Sequence, residues 1–430
     1  MRIVSKEYFS EHPRYIKLFA KLGVGILALA FLLLPEILRE NSLPVGDEPY
    51  YHLSIAGKLT GIGLGWNFIL NYFHIDALLL IIGILSMIFI FLNLKMLKLE
   101  ERLVAAAFFI VSPAFVYLFN VGERFGAAFL FSLISCYFLL NNKYILALVS
   151  SSIIFLFDPR IGLFLLFLYA LYFFYIKKMR RIFYSLITLF ILLILIIGNF
   201  DDGITSDLGA RIGNSMFSLL FVVICFLFFW SKKKFLYLYG AAGFLFLLSL
   251  NVDFGIFYFS LFLSILMSIC FFELLRTKWE SKLVRDFILL IIICGLLFSG
   301  LSYTNRISKS KPNDSIFNAL SKLPKDSVVF SDIGYGGWIQ YSGKKAVWHS
   351  MMNEKELEPL QNDFSVILES KNYDEAINIL EKYQIDYILI DDELKEKWQE
   401  SGLVYILRYN SEDFRFLFEE GDVEVWRFFR

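Results

Sequence analysis

Apolar runs of roughly 15 to 23 residues, each closed by a short polar or Gly/Pro-containing connection, fill the chain as far as residue 302. A hydrocarbon core of about 30 Å demands this spacing, so the pattern predicts about eleven transmembrane helices. They fall near residues 16–38, 76–97, 103–119, 125–141, 143–157, 161–176, 182–199, 214–230, 235–250, 255–275 and 284–302. From residue 303 the pattern changes: apolar runs shorten, charges alternate with hydrophobics and turn signals appear. Residues 303–430 therefore read as a soluble α/β domain long enough to hold its own core. Val328-Val329-Phe330 and Tyr387-Ile388-Leu389-Ile390 have the composition of buried strands. Helical periodicity runs from Tyr373 to Tyr383, and the tail from Arg415 to Phe429 reads as a hairpin turning at Glu420-Gly421-Asp422.

Composition agrees. At 57% hydrophobic and 18% aromatic, with a mean hydropathy of +0.61, the chain carries more apolar surface than a soluble protein can bury. The expected class is a polytopic α-helical membrane domain, residues 1–302, followed by a C-terminal extracytoplasmic α/β domain. All four cysteines lie inside predicted spans and imply no disulfide framework. The first apolar segment lacks a small-residue cleavage pattern and is followed by further spans, so it reads as a retained anchor.

Net charge is zero, and only the placement of basic residues is informative. Arg2, Lys6, Arg14, Lys17 and Lys21 precede the first span; Lys95, Lys98 and Arg102, then Lys143, then Lys177, Lys178, Arg180 and Arg181, then Lys232 to Lys234, and last Arg276, Lys278, Lys282 and Arg285, occupy alternate connections. By the positive-inside rule these connections and the N-terminus are cytoplasmic, and the C-terminal domain lies outside with the acid-bearing loops. The basic loops are topology determinants, and no nucleic-acid partner is expected. A Gly-rich phosphate loop, a zinc pattern and a nucleophile elbow are all missing from the sequence.

Candidate chemistry gathers in the outer loops. Asp47 and Glu48, in Gly46-Asp47-Glu48-Pro49-Tyr50-Tyr51-His52, follow the first span. Two acids beside a proline also suit a plain helix start. Leu53, Ile55, Ala56 and Leu59 then fit an amphipathic helix on the membrane surface, which would keep the carboxylates at headgroup level, with His52 as a headgroup contact. Glu123, in Val121-Gly122-Glu123-Arg124, lies in the next outer loop, and Asp158-Pro159-Arg160 in the one after. The Arg160 guanidinium suits either an ion pair at a span end or a phosphate. Asp201, Asp202, Asp207 and Arg211 fall in a longer loop, where acids are most often solvated. His74 and His349 lack metal-ligand spacing.

Asp47-Glu48-Pro49-Tyr50-Tyr51-His52-Leu53 resembles the acidic signature of the GT-C glycosyltransferase superfamily, which includes protein O-mannosyltransferases, aminoarabinose transferases of lipid A and oligosaccharyltransferase catalytic subunits. Its Asp-Glu-Pro order is similar to the first two groups, and Pro-Tyr-Tyr-His-Leu to the archaeal oligosaccharyltransferases. The segment Ser331-Asp332-Ile333-Gly334-Tyr335-Gly336-Gly337-Trp338-Ile339 resembles the Trp-Trp-Asp-Tyr-Gly motif that helps such enzymes bind the sequon Ser or Thr. Only Asp332 and Gly334 match that core, with Phe330 and Ser331 where the tryptophans would stand; a strand followed by a helix capped at Asp332 is the plainer alternative. Where the family carries two acids in its second motif, this chain has Glu123 alone, and no long loop separates its ninth and tenth spans.

The resemblance implies transfer of a sugar from a polyprenyl phosphate or pyrophosphate carrier to a protein, glycan or lipid acceptor at the outer face. Asp47 would be the base, Glu48 would position the acceptor or bind metal, and Arg160, or else Arg124 or Arg211, would neutralise the phosphate. His52, Glu123, Asp158, Asp332 and Tyr335 complete the expected substrate-binding set, and Asp47 with Glu123 are the expected ligands of a Mg²⁺ or Mn²⁺ ion. Oligosaccharyltransferase-like protein N-glycosylation is one alternative. A lipid-carrier transporter or flippase, or a non-catalytic homologue, is another, although charges stay at span ends and only Ser112-Pro113 and the Gly240 to Gly243 region interrupt spans.

Overall fold

The structure, a computed structural model, describes residues 13–39, 41, 43–55, 63–176, 205–208, 212–229, 233–352, 354–369, 372–398, 402–409 and 412–429. The chain divides into two compact units, Met1–Arg39 with Asp76–Lys309, and Glu40–Ile75 with Ser310–Arg430. The loop after the first helix thus belongs with the C-terminal segment.

In the first unit a helix stands at every expected span except 182–199, which lies outside the described residues. Among the described residues four helices are long and apolar enough to cross a membrane: Lys17–Leu38, Ile75–Met96, Asp253–Arg276 and Lys282–Ser308. Eleven full-length spans are therefore not found among the described residues. Phe125–Leu140, Tyr144–Ile154, Pro159–Phe174, Met216–Leu227 and Leu238–Ser249 are apolar but shorter. The expected span 103–119 is a pair, Leu99–Ile110 and Pro113–Asn120, bent by 66°. Pro113 has no N–H for the preceding turn, and the Ser112 hydroxyl caps the second helix by accepting from Phe115 N at 3.2 Å. Small residues bring these helices together: Ala105, Ala106, Ala114 and Ala128 are buried beside Phe109, Phe115 and Phe129. Phe19, Ile26, Ile37 and Phe298 are exposed, as side chains that meet lipid must be.

The second unit is an α/β domain. Its strands are β1 (Val328–Phe330), β2 (Lys345–Ala346), β3 (Tyr387–Asp391), β4 (Phe414–Glu420) and β5 (Val423–Phe428), in the order β2-β1-β3-β5-β4. β1 runs parallel to β2 and β3, and the β4–β5 hairpin is antiparallel and joins through β5. Gly421 supplies the hairpin turn with φ of 60°. Helices Glu354–Glu369 and Tyr373–Lys382 cross over between β2 and β3, and Phe330, Phe364, Leu380, Ile388 and Val425 are buried in the core between layers.

The acidic loop is built into this domain. Glu48–Ser54 forms a short helix with Pro49 in its first turn, and Glu48, Pro49, Tyr50 and His52 are buried. Tyr50, 1% exposed, inserts between Phe317 and Tyr341, with ring centroids at 5.1 and 5.2 Å. Of the residues expected to form an amphipathic helix on a membrane surface, Leu53 and Ile55 are half-buried, and Ala56 and Leu59 lie outside the described residues.

Candidate active site

In open α/β sheets, side chains that handle ligands collect beyond the carboxyl ends of parallel strands. β1 ends at Phe330, and the chain continues through Ser331 and Asp332 into a 3₁₀ turn, Ile333–Tyr335, and the helix Gly336–Tyr341. Asp332 Oδ1 accepts from Gly334 N at 3.1 Å, so the observed contact of this side chain is to its own turn. The turn aims the N-terminus of the helix at the acidic loop. Gly337 N donates to Asp47 Oδ1 at 2.5 Å, Ser350 Oγ donates to Asp47 Oδ2 at 2.6 Å, and Trp338 Nε1 donates to Gly46 O at 2.8 Å. A Cβ at position 337 would collide with the Asp47 carboxylate, so glycine is required there for a close approach. Gly336 is similarly pressed on Trp348 and His349. The two motifs read from the sequence, 290 residues apart, are therefore one site within the second unit.

Glu48 and His52 are the next layer. His52 is fully buried, with Nδ1 at 2.5 Å from Asn67 Oδ1 and Nε2 at 3.2 Å from Glu48 Oε1. In place of the headgroup contact expected of it, His52 holds Glu48. Tyr51 packs on the His349 ring at 4.9 Å; burial lowers the pKa of that imidazole, and Glu356 pulls it back up. Met351 N donates to His349 Nδ1 at 3.2 Å. Tyr335, expected to meet substrate, is buried with its hydroxyl donated to Asp391, and Lys311 Nζ donates to the same hydroxyl at 2.8 Å. Burial first and the Asp391 charge second raise the Tyr335 pKa, so its proton stays in place. Gly337, Ser350 and Lys311 were missed in the sequence; the Gly336-Gly337 pair opening a helix was the one available signal.

The other acids belong to the first unit. Glu123 is buried in the connection between Pro113–Asn120 and Phe125–Leu140, and Tyr117 OH donates to its Oε1 at 2.6 Å. Asp158 is 1% exposed and caps the helix Pro159–Ile176, accepting from Arg160 N at 2.8 Å and Ile161 N at 3.3 Å. Two guanidiniums meet it: Arg124 Nε at 3.5 Å, from a buried side chain, and Arg160 Nη2 at 3.1 Å, from a half-exposed one. The loops of Glu123 and Asp158 thus converge. Arg211 lies outside the described residues. Asp47 and Glu123, expected to share a metal ion, fall in different units, and among the described residues no three His, Cys, Asp or Glu side chains are grouped to hold one.

Fold and site together define a class: a chain of apolar helices, four of them among the described residues long and apolar enough to cross a membrane, followed by a sheet domain. Solved structures say the same. Archaeal oligosaccharyltransferase AglB from Archaeoglobus fulgidus, in complex with an inhibitory peptide and a dolichol-phosphate, is similar over 96% of this chain and 74% of its own, with TM-score 0.58 and 13% identity. The Archaeoglobus fulgidus oligosaccharyltransferase tethered to an acceptor peptide containing the NVT sequon is similar over the same shares, with TM-score 0.54 and 12% identity. A complex of that enzyme with Zn and sulfate is similar over 90% of this chain and 70% of its own, with TM-score 0.53 and 13% identity. At such identities the likeness is one of fold. No protein-family model and no curated protein matches the chain.

Proposed function

We propose that this chain is a membrane glycosyltransferase that moves a sugar from a polyprenyl-phosphate or pyrophosphate carrier to an acceptor hydroxyl at the outer membrane face, with Asp47 as base. The observation that carries this reading is the held Asp47 carboxylate, each oxygen fixed by a neutral donor, beyond the carboxyl end of the parallel strand β1. As the acceptor attacks the anomeric carbon, its proton passes to Asp47 and the bond from that carbon to the phosphate oxygen breaks. The carrier phosphate leaves with the electron pair. General-base assistance contributes roughly 10²- to 10⁴-fold. Glu48, fixed by His52, is the residue assigned to orient the acceptor. Arg160, with its half-exposed guanidinium, has the chemistry to bind a phosphate, as do the other candidates Arg124 and Arg211. The Mg²⁺ or Mn²⁺ expected from the sequence finds no ligand set among the described residues, and every step assigned above runs on side chains.

Fold likeness to enzymes solved with dolichol-phosphate and with a sequon peptide favours a second reading, transfer of a glycan to peptide asparagine. The two share a donor and differ in acceptor. Purified full-length protein, given a dolichol-phosphate-linked sugar and either an Asn-Val-Thr peptide or a peptide whose acceptors are Ser and Thr hydroxyls, separates them by where the label appears. Label on the hydroxyl peptide supports the first reading, label on asparagine the second, and release of no sugar to either overturns both.

A further inference from the structure

Lys311, which no sequence motif singled out, touches both halves of the Asp47 site. Its backbone carbonyl accepts from Gly46 N at 3.1 Å, fixing the residue before Asp47. Its ammonium donates to the Tyr335 hydroxyl at 2.8 Å, to Glu393 Oε2 at 2.7 Å and to Asp391 Oδ2. Tyr335 is the last residue of the turn before Gly336 and Gly337, and Gly337 N is what holds Asp47. Asp391 is fully buried at the end of β3, and its other oxygen accepts from Leu394 N at 2.9 Å, so the anchor beneath Lys311 is rigid. Trp338 closes the ring, packed on Tyr335 at 4.6 Å with its indole N–H on Gly46 O at 2.8 Å. The contacts form a circuit from Lys311 through Gly46, Asp47, Gly337 and Tyr335 back to Lys311.

Such a circuit sets a carboxylate by fixing both the residue that carries it and the amide that binds it. Loss of one side chain in it lets the N-terminus of Gly336–Tyr341 move against Asp47, and misplacement of a base by about 1 Å costs on the order of 10²-fold in rate. We propose that Lys311 is a positioning residue for the Asp47 carboxylate, acting through Tyr335 and Asp391 on the Gly337 amide; this rests on the reading of Asp47 as the base. Lys311 has no part in proton transfer. Its charge is absorbed by Asp391 and Glu393; burial lowers its pKa, but the hydrogen bonds it donates to those two carboxylates outweigh burial and leave the pKa raised.

The test uses the full chain with Lys311→Met, Tyr335→Phe, which removes only the hydroxyl, and Asp47→Asn, alone and in pairs. Amide hydrogen exchange at Gly337 reads the positioning without any assay of transfer. Lys311→Met is expected to speed that exchange about 10-fold or more, and Tyr335→Phe to speed it less, because Lys311 keeps its bond to Asp391. In transfer assays Lys311→Met lowers kcat roughly 10- to 100-fold with KM for the lipid donor nearly unchanged, and adds little to Asp47→Asn. Tyr335→Phe lowers kcat in the same way and guards against a misfolded lysine variant. Unchanged Gly337 exchange in both variants overturns the proposal, as does a loss of kcat fully additive to that of Asp47→Asn. If the wild-type chain transfers no sugar, the reading of Asp47 as base fails, while the exchange result still decides whether Lys311 fixes the loop.

Discussion

Two buried carboxylates, Asp47 in the second unit and Asp158 in the first, are held by different chemistry. Asp158 caps a helix and faces two guanidiniums, Arg124 and Arg160, at 3.5 and 3.1 Å. Asp47 is gripped on each oxygen by a neutral group, the Gly337 amide and the Ser350 hydroxyl. At Asp158 the carboxylate charge is opposed on the spot by guanidinium. Neutral donors fix the direction of each Asp47 oxygen. The contrast separates a carboxylate that secures a helix end from one that ties together two segments 290 residues apart.

The largest effect that would break this contrast comes from the glycine. Gly337→Ala puts a methyl group into the Asp47 carboxylate, and transfer is expected to fall on the order of 10²-fold; activity within about threefold of wild type would mean that the Asp47–Gly337 contact is not used. Arg124→Met tests the other carboxylate. Removing a buried partner from Asp158 is expected to destabilise the first unit by roughly 3 kcal/mol, whereas Arg160→Ala, at a half-exposed guanidinium, costs no more than about 1 kcal/mol. Thermal unfolding in detergent checks both, and equal losses would show that burial of the partner does not matter.

The smallest effects are those of pH on the second unit. Tyr335 has its pKa raised by burial and by Asp391, so above about pH 10 the unfolded chain loses that proton first and stability falls as pH rises. Lys311 is shifted upward too, so its contribution is complete below 10.5 and is lost as pH climbs through the folded value. His349 works at the opposite end: with its folded pKa lowered by burial from 6.5, the unfolded state binds the proton first, and stability declines as pH drops below 6.5. A plateau between pH 6.5 and 10 with losses on both sides is expected in unfolding of the purified protein. A profile that keeps rising beyond pH 10 contradicts the buried Tyr335–Asp391 bond.

Much of the fold was written locally. Helices follow apolar runs, β1, β3 and the hairpin at Gly421 follow residue type and alternation, and Asp47 and Asp332 stand in short motifs. What local pattern does not carry is partnership over distance. Nothing around Tyr50 says that its ring fills a gap beside Phe317 and Tyr341, nor around Ser350 that its hydroxyl meets Asp47. An apolar stripe has the same periodicity whether it meets lipid or a protein core, and Tyr50 meets the core. His52 and Tyr335 are buried, and no sequence pattern around either distinguishes a ring that meets ligand from one that braces its own loop.

The measurement that bears most directly on the central claim is single-turnover sugar transfer by the full-length Asp47→Asn protein from a dolichol-phosphate-linked donor. Asparagine keeps the size of the side chain and a carbonyl oxygen for the Gly337 amide, so the loop stays docked and Gly337 remains protected from exchange. The account predicts transfer reduced roughly 10²- to 10⁴-fold with unfolding temperature unchanged. Transfer at the wild-type rate from that folded protein would contradict it.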